Sequence, residues 1–499
     1  MSPNQVIPVE NGALSPIAER VLKVPSLTYD YGKDGIVIAV KADLIVRRSP
    51  FDASPPFRDA LAEVADRVGS LADIKPDPSQ RTHSPAGAAG GLAEPPDYNP
   101  GPGGELSQLD VWRLKDPRTR NSIDESRRLR ALVKEERVLT AKGAELSLPA
   151  VSPNHVAILS PAAGGCPAAP PTPAPPPDKG FVEPPVAAPG AKVTILDSGY
   201  IWIAPPHPPH HNLDGRVTVV LGQWLDTSST PPTWRPDRPD GIYRDPAGQL
   251  DGISGHGTFI AGLVSHIAPD TSLEVVGLRN QEVEIGILNR AAQLGLFETE
   301  VAIAHAMLRR CDTDVIQCGF AFPTLDDYPS LPFAAVMAEL RQPSAPRNGR
   351  VAVVAPAGNE QSARPYWPAA LPDVIGVAST NRRGNARAWF SNWGDWCDCC
   401  TRGEHVYSTF VYWHGSVEGE PLSDIEHFRG WARWDGTSFA APKVSAAIAN
   451  VVAGSSGGTL PMDAWNQLIA GAGGVPVSSL TDATLSGPPG VPLTHLHIW

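Results

Sequence analysis

Cysteine and methionine are scarce in this 499-residue chain, at six and four residues, and aromatic side chains make up only 7% of it. So few cysteines in so long a chain exclude a small disulfide-stapled scaffold. No apolar run is long enough to supply a membrane-spanning helix, so no membrane partner is expected. Basic residues are outnumbered, 41 Lys and Arg against 53 Asp and Glu, for a net charge of −12. That balance lacks the basic footprint of a nucleic-acid binder. The first residues, Met1-Ser2-Pro3-Asn4-Gln5-Val6-Ile7-Pro8, carry neither the basic start nor the apolar core of a secretory signal, and a cytoplasmic location is the expectation.

What the chain has in excess is proline, 54 residues of it, on a background of 42% apolar and 19% charged residues. The composition fits a globular protein of two or three domains with irregular segments between them. Residues 1–30 are polar and proline-punctuated and read as a loose arm. Strands are expected at Gly35–Val46, Leu109–Leu114 and His155–Leu159. An amphipathic helix is expected from Pro56 to Leu71, with Phe57, Leu61, Val64, Val68 and Leu71 at helical spacing. A charged helix follows at Ser122–Val138, to be capped by Ser122 or Asp124. Residues 31–160 thus form a small α+β domain, interrupted at 75–105 by a Pro-, Gly- and Ala-rich insertion. Eleven prolines between Pro161 and Pro189 mark residues 161–190 as an extended linker.

Beyond the linker, short β-branched strands alternate with helices: strands at Val193–Leu196, Leu273–Leu278, Val315–Cys318, Val351–Pro356 and Val374–Ala378, and helices at Gly257–Ile267, Glu298–Arg310 and Phe333–Leu340. This pattern is that of a mostly parallel α/β sheet covered on both faces. Functional residues of such sheets gather at the carboxyl ends of the strands. Four motifs fall at or near such places. The first strand runs into Asp197-Ser198-Gly199. Ser254-Gly255-His256-Gly257-Thr258 opens a helix, and Ala357-Gly358-Asn359-Glu360 ends a strand. Asp435-Gly436-Thr437-Ser438 opens a run of small and apolar residues with helical character. Taken singly, each has a structural reading: Asp197 as a turn former, His256 as a packed histidine, Ser438 as an N-cap. Ser438 also reads as a nucleophile beside helix N-terminal donors.

In chain order the four motifs present Asp197, His256, Asn359 and Ser438, and on these residues the chain resembles the subtilisin-like serine peptidases, the subtilase family. The resemblance spans roughly residues 191–470. It implies a subtilisin-like α/β peptidase domain over residues 191–475, preceded by the α+β domain and followed by a tail at 476–499. It further implies serine endopeptidase activity on polypeptide substrates. Ser438 is then the nucleophile, His256 the general base and acid, Asp197 its orienting partner and Asn359 the oxyanion donor. Gly319-Phe320-Ala321 stands where the family commonly has Ser-Leu-Gly beside the substrate cleft. Gly319, Phe320, Ala321 and Gly358 are therefore candidate substrate-binding residues, with Phe320 expected to alter the pocket wall. The resemblance requires no metal or organic cofactor, and structural calcium stays open. Phe390-Ser391-Asn392-Trp393-Gly394 is similar to a family segment, and strand alternation after it is expected to put Cys397 and Cys399 on one face as buried thiols. His207, His210 and His211 are read as part of a solvated loop. Lys443 stands where many family members have histidine.

For the N-terminal region three readings stay open: a removable prodomain, a retained domain that regulates an intracellular processing protease or docks a regulatory partner, and a catalytically silent chain that uses the cleft as a peptide-binding scaffold.

Overall fold

β-branched residues buried on both sides of a sheet need a helix layer on each face, and this chain supplies both. The computed structural model describes residues 26–32, 35–72, 104–133, 147–158, 168–177, 190–200, 210, 213, 216–229, 233–236, 248–250, 252–278, 296–417, 420–455, 458–471 and 494–495. The expected insertion at 75–105 and most of the arm and tail lie outside them.

The N-terminal part contains β1 (Leu27–Gly32), β2 (Gly35–Arg47), α1 (Arg48–Ala53), α2 (Pro55–Val64), β3 (Ala65–Ser70), β4 (Leu109–Leu114), α3 (Ser122–Val133) and β5 (Val151–Ile158). These strands form an antiparallel sheet in the order β12-β5-β2-β4-β3, with β1 on β2; β12 (Leu296–Thr299) comes from much further along the chain. The helix expected to reach Leu71 ends at Val64. Residues 65–70 instead pair with β4, from Ala65 opposite Leu114 to Ser70 opposite Asp110. Val68 and Gly69 are poor helix formers, and the β4 edge gives their backbone groups partners. Phe57 and Leu61, on the true helix, are fully buried. The cap of α3 is neither Ser122 nor Asp124. Asn121 Oδ1 accepts the N–H groups of Ile123 and Asp124, both at 3.0 Å, as an Asx N-cap does.

The expected linker is partly structured: β6 (Thr172–Pro173) pairs with β18 (Glu426–Trp434), which in turn pairs with β17 (Val406–Gly415). β7 (Ala191–Asp197), β8 (Val217–Leu221), β11 (Thr271–Gly277), β13 (Val315–Cys318), β14 (Ala352–Pro356), β15 (Ile375–Thr380), β16 (Cys399–Arg402) and β19 (Thr494–His495) make a parallel sheet in the order β19-β16-β15-β14-β13-β7-β11-β8. β9 (Gln223–Asp226) and β10 (Thr233–Pro236) form a separate hairpin.

On one face of the parallel sheet lie α4 (His256–Ile267), α7 (Thr437–Gly454) and α8 (Pro461–Gly471), in a core with Phe259, Phe410, Trp434 and Phe439. On the other lie α5 (Glu300–Arg309) and α6 (Leu331–Leu340). Their core takes in Ile45, Leu109, Val111 and Ala157 of the N-terminal sheet, so the two sheets share one apolar interior across α5 and α6. Cys397 and Cys399 do not share a face: Cys399 belongs to the α7 side, Cys397 and Cys400 to the α6 side. Strand alternation begins only at Cys399, because Cys397 closes a turn by donating its N–H to the Gly394 carbonyl at 3.2 Å. All three are buried.

Candidate active site

Three carboxyl ends of neighbouring parallel strands converge here. β7 delivers Asp197, β13 delivers Gly319 just beyond Cys318, and β14 runs through Ala357 and Gly358 to Asn359. The helix starts face them: His256 is the first residue of α4, and Thr437-Ser438 open α7.

Asp197 and His256 are both completely buried, and His256 Nδ1 lies 2.9 Å from each Asp197 carboxylate oxygen. An ionised carboxylate only accepts, so this contact places the proton on Nδ1 and leaves Nε2 with its lone pair. Nε2 has no hydrogen-bond partner among the described residues. The Ser198 N–H also donates to Asp197 Oδ1, at 2.7 Å. Glycines make room for this pair. A β-carbon on Gly319 would sit 1.6 Å from Asp197 Oδ2, and one on Gly257 2.0 Å from the Gly199 carbonyl. Gly255, the residue before α4, has φ 80° in the left-handed region, where a side chain would also strike Phe410 and Val411. Trp434 meets the His256 ring edge-on at 5.6 Å between centroids, and Phe439 lies tilted at 5.3 Å.

Ser438 is fully buried, and its hydroxyl donates to the Gly319 carbonyl at 3.4 Å. Gly319 thus touches both Asp197 and Ser438. Pro442 lies inside α7. Having no N–H, it leaves the carbonyl of Ser438 without the usual helical donor four residues on.

Asn359 Oδ1 accepts from the Thr437 N–H at 2.9 Å and the Thr437 hydroxyl at 3.0 Å. Because an N–H can only donate, the atom facing it is the oxygen, so the amide nitrogen points away from Thr437. The Thr437 hydroxyl also accepts from the Gly358 N–H at 3.0 Å. Gly358 has φ 97°, and a β-carbon there would lie 2.4 Å from Asn392 Nδ2. Asn392 clamps the turn from outside. Its oxygen accepts from the N–H groups of Glu360 (2.8 Å) and Ser362 (3.0 Å), and its Nδ2 donates to the Ala357 carbonyl (3.0 Å) and to Glu360 Oε2 (3.1 Å). Glu360 Oε2 accepts from the Asn359 N–H at 2.9 Å. Burial pushes the Glu360 carboxyl up to about 7, against those hydrogen bonds.

Asp197, His256, Ser438, Asn359, Gly319 and Gly358 therefore lie in one neighbourhood. Phe320 does not line it. Its side chain is fully buried and stacks with Phe333 of α6 at 6.2 Å, and Ala321 is buried in the same core. Strand alternation turns Phe320 inward and leaves Gly319 to present its carbonyl to Ser438. The sequence reading also missed Thr437, Asn392, Glu360 and Trp434. Thr437, Asn392 and Glu360 sat inside quoted motifs, but they have partners distant in sequence. His210 is no solvated-loop residue: it is buried, with Nε2 at 2.8 Å from the Gly430 carbonyl and its ring edge-on to Trp431. His207 and His211 lie outside the described residues. Lys443 is 2% exposed, and its Nζ has no hydrogen-bond partner among the described residues. Burial, with the Arg402 guanidinium nearby, pulls its pKa down to about 7. No group of metal-ligating side chains large enough to hold an ion occurs among the described residues. Nor does any helix there have the length and apolarity to cross a membrane.

A family model described as "Subtilase family" matches residues 188–468. No curated protein matches. Similar solved structures include proteases from Pseudoalteromonas arctica (20% identity, 56% of this chain and 83% of that one, TM-score 0.36). Fervidolysin from Fervidobacterium pennivorans, described as a keratinolytic enzyme related to subtilisin, is 16% identical over 93% of this chain and 63% of that one, with a TM-score of 0.48. The patellamide maturation protease PatA is 21% identical over 62% of this chain and 95% of that one, with a TM-score of 0.40.

Proposed function

The chain belongs to the subtilase family of serine peptidases, and from that premise we propose that it is an endopeptidase acting on polypeptides through Asp197, His256 and Ser438, with Asn359 as oxyanion donor. The observation that carries this reading is the buried Asp197–His256 pair, with Nδ1 at 2.9 Å from both carboxylate oxygens. It fixes the tautomer in which Nε2 is the base. A rotation of the Ser438 hydroxyl away from the Gly319 carbonyl hands its proton to Nε2 as the oxygen attacks the scissile carbonyl. Catalytic hydrogen bonds often tighten only when substrate is bound. The Asn359 amide nitrogen and the Ser438 N–H then receive the oxyanion. His256 returns its proton to the leaving amine, and water completes the cycle by the same route. Every proton has a donor and an acceptor within this set, so the proposed chemistry runs without a metal or organic cofactor. The proposed biological role is intracellular processing or regulation.

The test is to incubate the full chain and its Ser438→Ala variant with a mixture of blocked peptides and read the products by mass spectrometry. Paired internal fragments from wild type alone are expected. Release of single terminal residues only, or equal fragmentation by both proteins, would overturn the reading.

A further inference from the structure

β18 runs directly into the short loop that leads to Ser438, and its two edges are both in use. One edge pairs with β17, and on the other Pro173 and Thr172 lie antiparallel to Ala432 and Arg433. The contact extends past the strand in both directions. The Ala174 N–H donates to the Trp431 carbonyl at 3.1 Å, and the Ala168 N–H to the Asp435 carbonyl at 2.9 Å. Thr172 Oγ1 donates to the Arg433 carbonyl at 3.3 Å, Trp434 Nε1 to the Ala169 carbonyl at 2.6 Å, and the Tyr407 hydroxyl to the Pro175 carbonyl at 2.7 Å. Segment 168–177 is therefore laid along β18 up to the residue after it, with the two-residue β6 at its centre.

Its position relative to the chemistry follows from proton transfer. The leaving amine takes its proton from His256, so the leaving half of a substrate lies on the His256 side, and the oxyanion on the Asn359 side. Trp434 is the residue that meets the His256 ring edge-on, and its indole N–H holds Ala169. The Asp435 carbonyl, in the loop leading into Ser438, is taken by Ala168. Extended peptides are held through main-chain acceptors of this kind on a strand edge. Nor can a substrate strand simply add outside β6: Pro170, Pro171, Pro173 and Pro175 have no N–H to offer, which closes the outer edge to further pairing.

We propose that segment 168–177 occupies the leaving-group side of the cleft and so determines specificity, favouring scissile bonds with only a short stretch of chain beyond them. A substrate with a long leaving half must displace this strand, whereas one cut near its C-terminus need not. The proposal rests on the peptidase reading.

The experiment uses the full chain and one acyl sequence, chosen from a cleaved blocked peptide and followed by either two or six residues beyond the scissile bond. Wild type is expected to cut the short form more efficiently. Ala168→Pro/Ala174→Pro removes two donors to β18 and is expected to raise kcat/KM on the long form by about tenfold, the worth of two ordinary backbone hydrogen bonds, while leaving the short form unchanged. Tyr407→Phe, a milder change, moves the ratio in the same direction. Wild type cutting the long form as readily as the short one overturns the proposal, whether or not the double variant folds. So does an intact mass showing that the active species has lost residues 168–177. Failure of wild type and both variants to cut either form, or any blocked peptide, counts against the peptidase reading itself.

Discussion

The Thr437 hydroxyl ties the oxyanion turn to the nucleophile helix, donating to Asn359 Oδ1 and accepting from the Gly358 N–H. Thr437→Val keeps the shape and removes both bonds. Its kcat is expected to fall about tenfold or more with KM little changed, while Thr437→Ser retains most activity; an effect confined to KM would contradict this. Glu360 gives the site a pH response. Its folded pKa, about 7, is raised from the usual 4.5, so between those values the native chain holds a proton that the unfolded chain has lost. Stability contributed by Glu360 is therefore present at low pH and declines as pH rises through that window. Melting curves from pH 5 to 8 are expected to show a downward slope that Glu360→Gln reduces. Lys443 has the opposite linkage. With its pKa lowered to about 7 from 10.5, the unfolded chain holds the extra proton between those values, and stability rises with pH there. Lys443→Met is expected to stabilise by on the order of a few kcal/mol near pH 6 and by much less near pH 10. That Asp197, His256, Asn359 and Ser438 would come together was legible because each sits in a short glycine-containing motif, Asp197 and Asn359 where an apolar strand ends and His256 and Ser438 where an apolar helix begins. Thr437, Asn392 and Glu360 were not, because what they do depends on pairings across the chain that no local pattern records.

At the scale of elements, the placement of glycine decides whether the strand ends can approach. Gly319→Ala puts a methyl group where Asp197 Oδ2 lies. It is expected to displace the carboxylate and lower kcat by about 10² or more, with the far-UV circular dichroism unchanged. Full activity in that variant would contradict the packing. The parallel strands were readable from the sequence, since Val193, Ile195, Val315 and Val377 are buried on one face of the sheet and Leu196, Ile316 and Val353 on the other. The edge elements were not. Val68 stood at helical spacing yet lies in a strand, because periodicity in a short segment cannot register that a neighbouring strand lacks a partner. The proline-rich stretch was read as a linker from composition alone. Proline does prevent it from donating a full ladder, but Ala168 and Ala174 provide enough N–H groups to dock it.

Across the whole molecule, the N-terminal sheet and the parallel sheet are joined by more than a linker. β12 completes the N-terminal sheet, and Glu300 at the start of α5 is buried against it. One Glu300 oxygen lies 2.8 Å from His155 Nδ1 and accepts the His155 N–H at 3.1 Å, while the other accepts from Ser330 at 2.6 Å. His155 Nε2 in turn accepts the Leu325 N–H at 3.0 Å. With Nε2 accepting, the ring donates from Nδ1 as a neutral imidazole, and His155→Ala removes that bond to Glu300 and leaves the buried Leu325 N–H without its acceptor; it is expected to cost about 2–4 kcal/mol and to lower a single calorimetric transition rather than one of two. No residue pattern announced this junction, since its members are distant in sequence and each is unremarkable alone.

The proposed chemistry depends most heavily on Ser438 being an activated nucleophile. Wild type, Ser438→Ala and Asp197→Asn would be treated with a fluorophosphonate probe and the labelled peptide identified by mass spectrometry. Label on Ser438 in wild type, none in Ser438→Ala and much slower labelling in Asp197→Asn is the predicted result. A folded wild-type chain that takes no label, or one that is labelled equally well without Ser438, would contradict it.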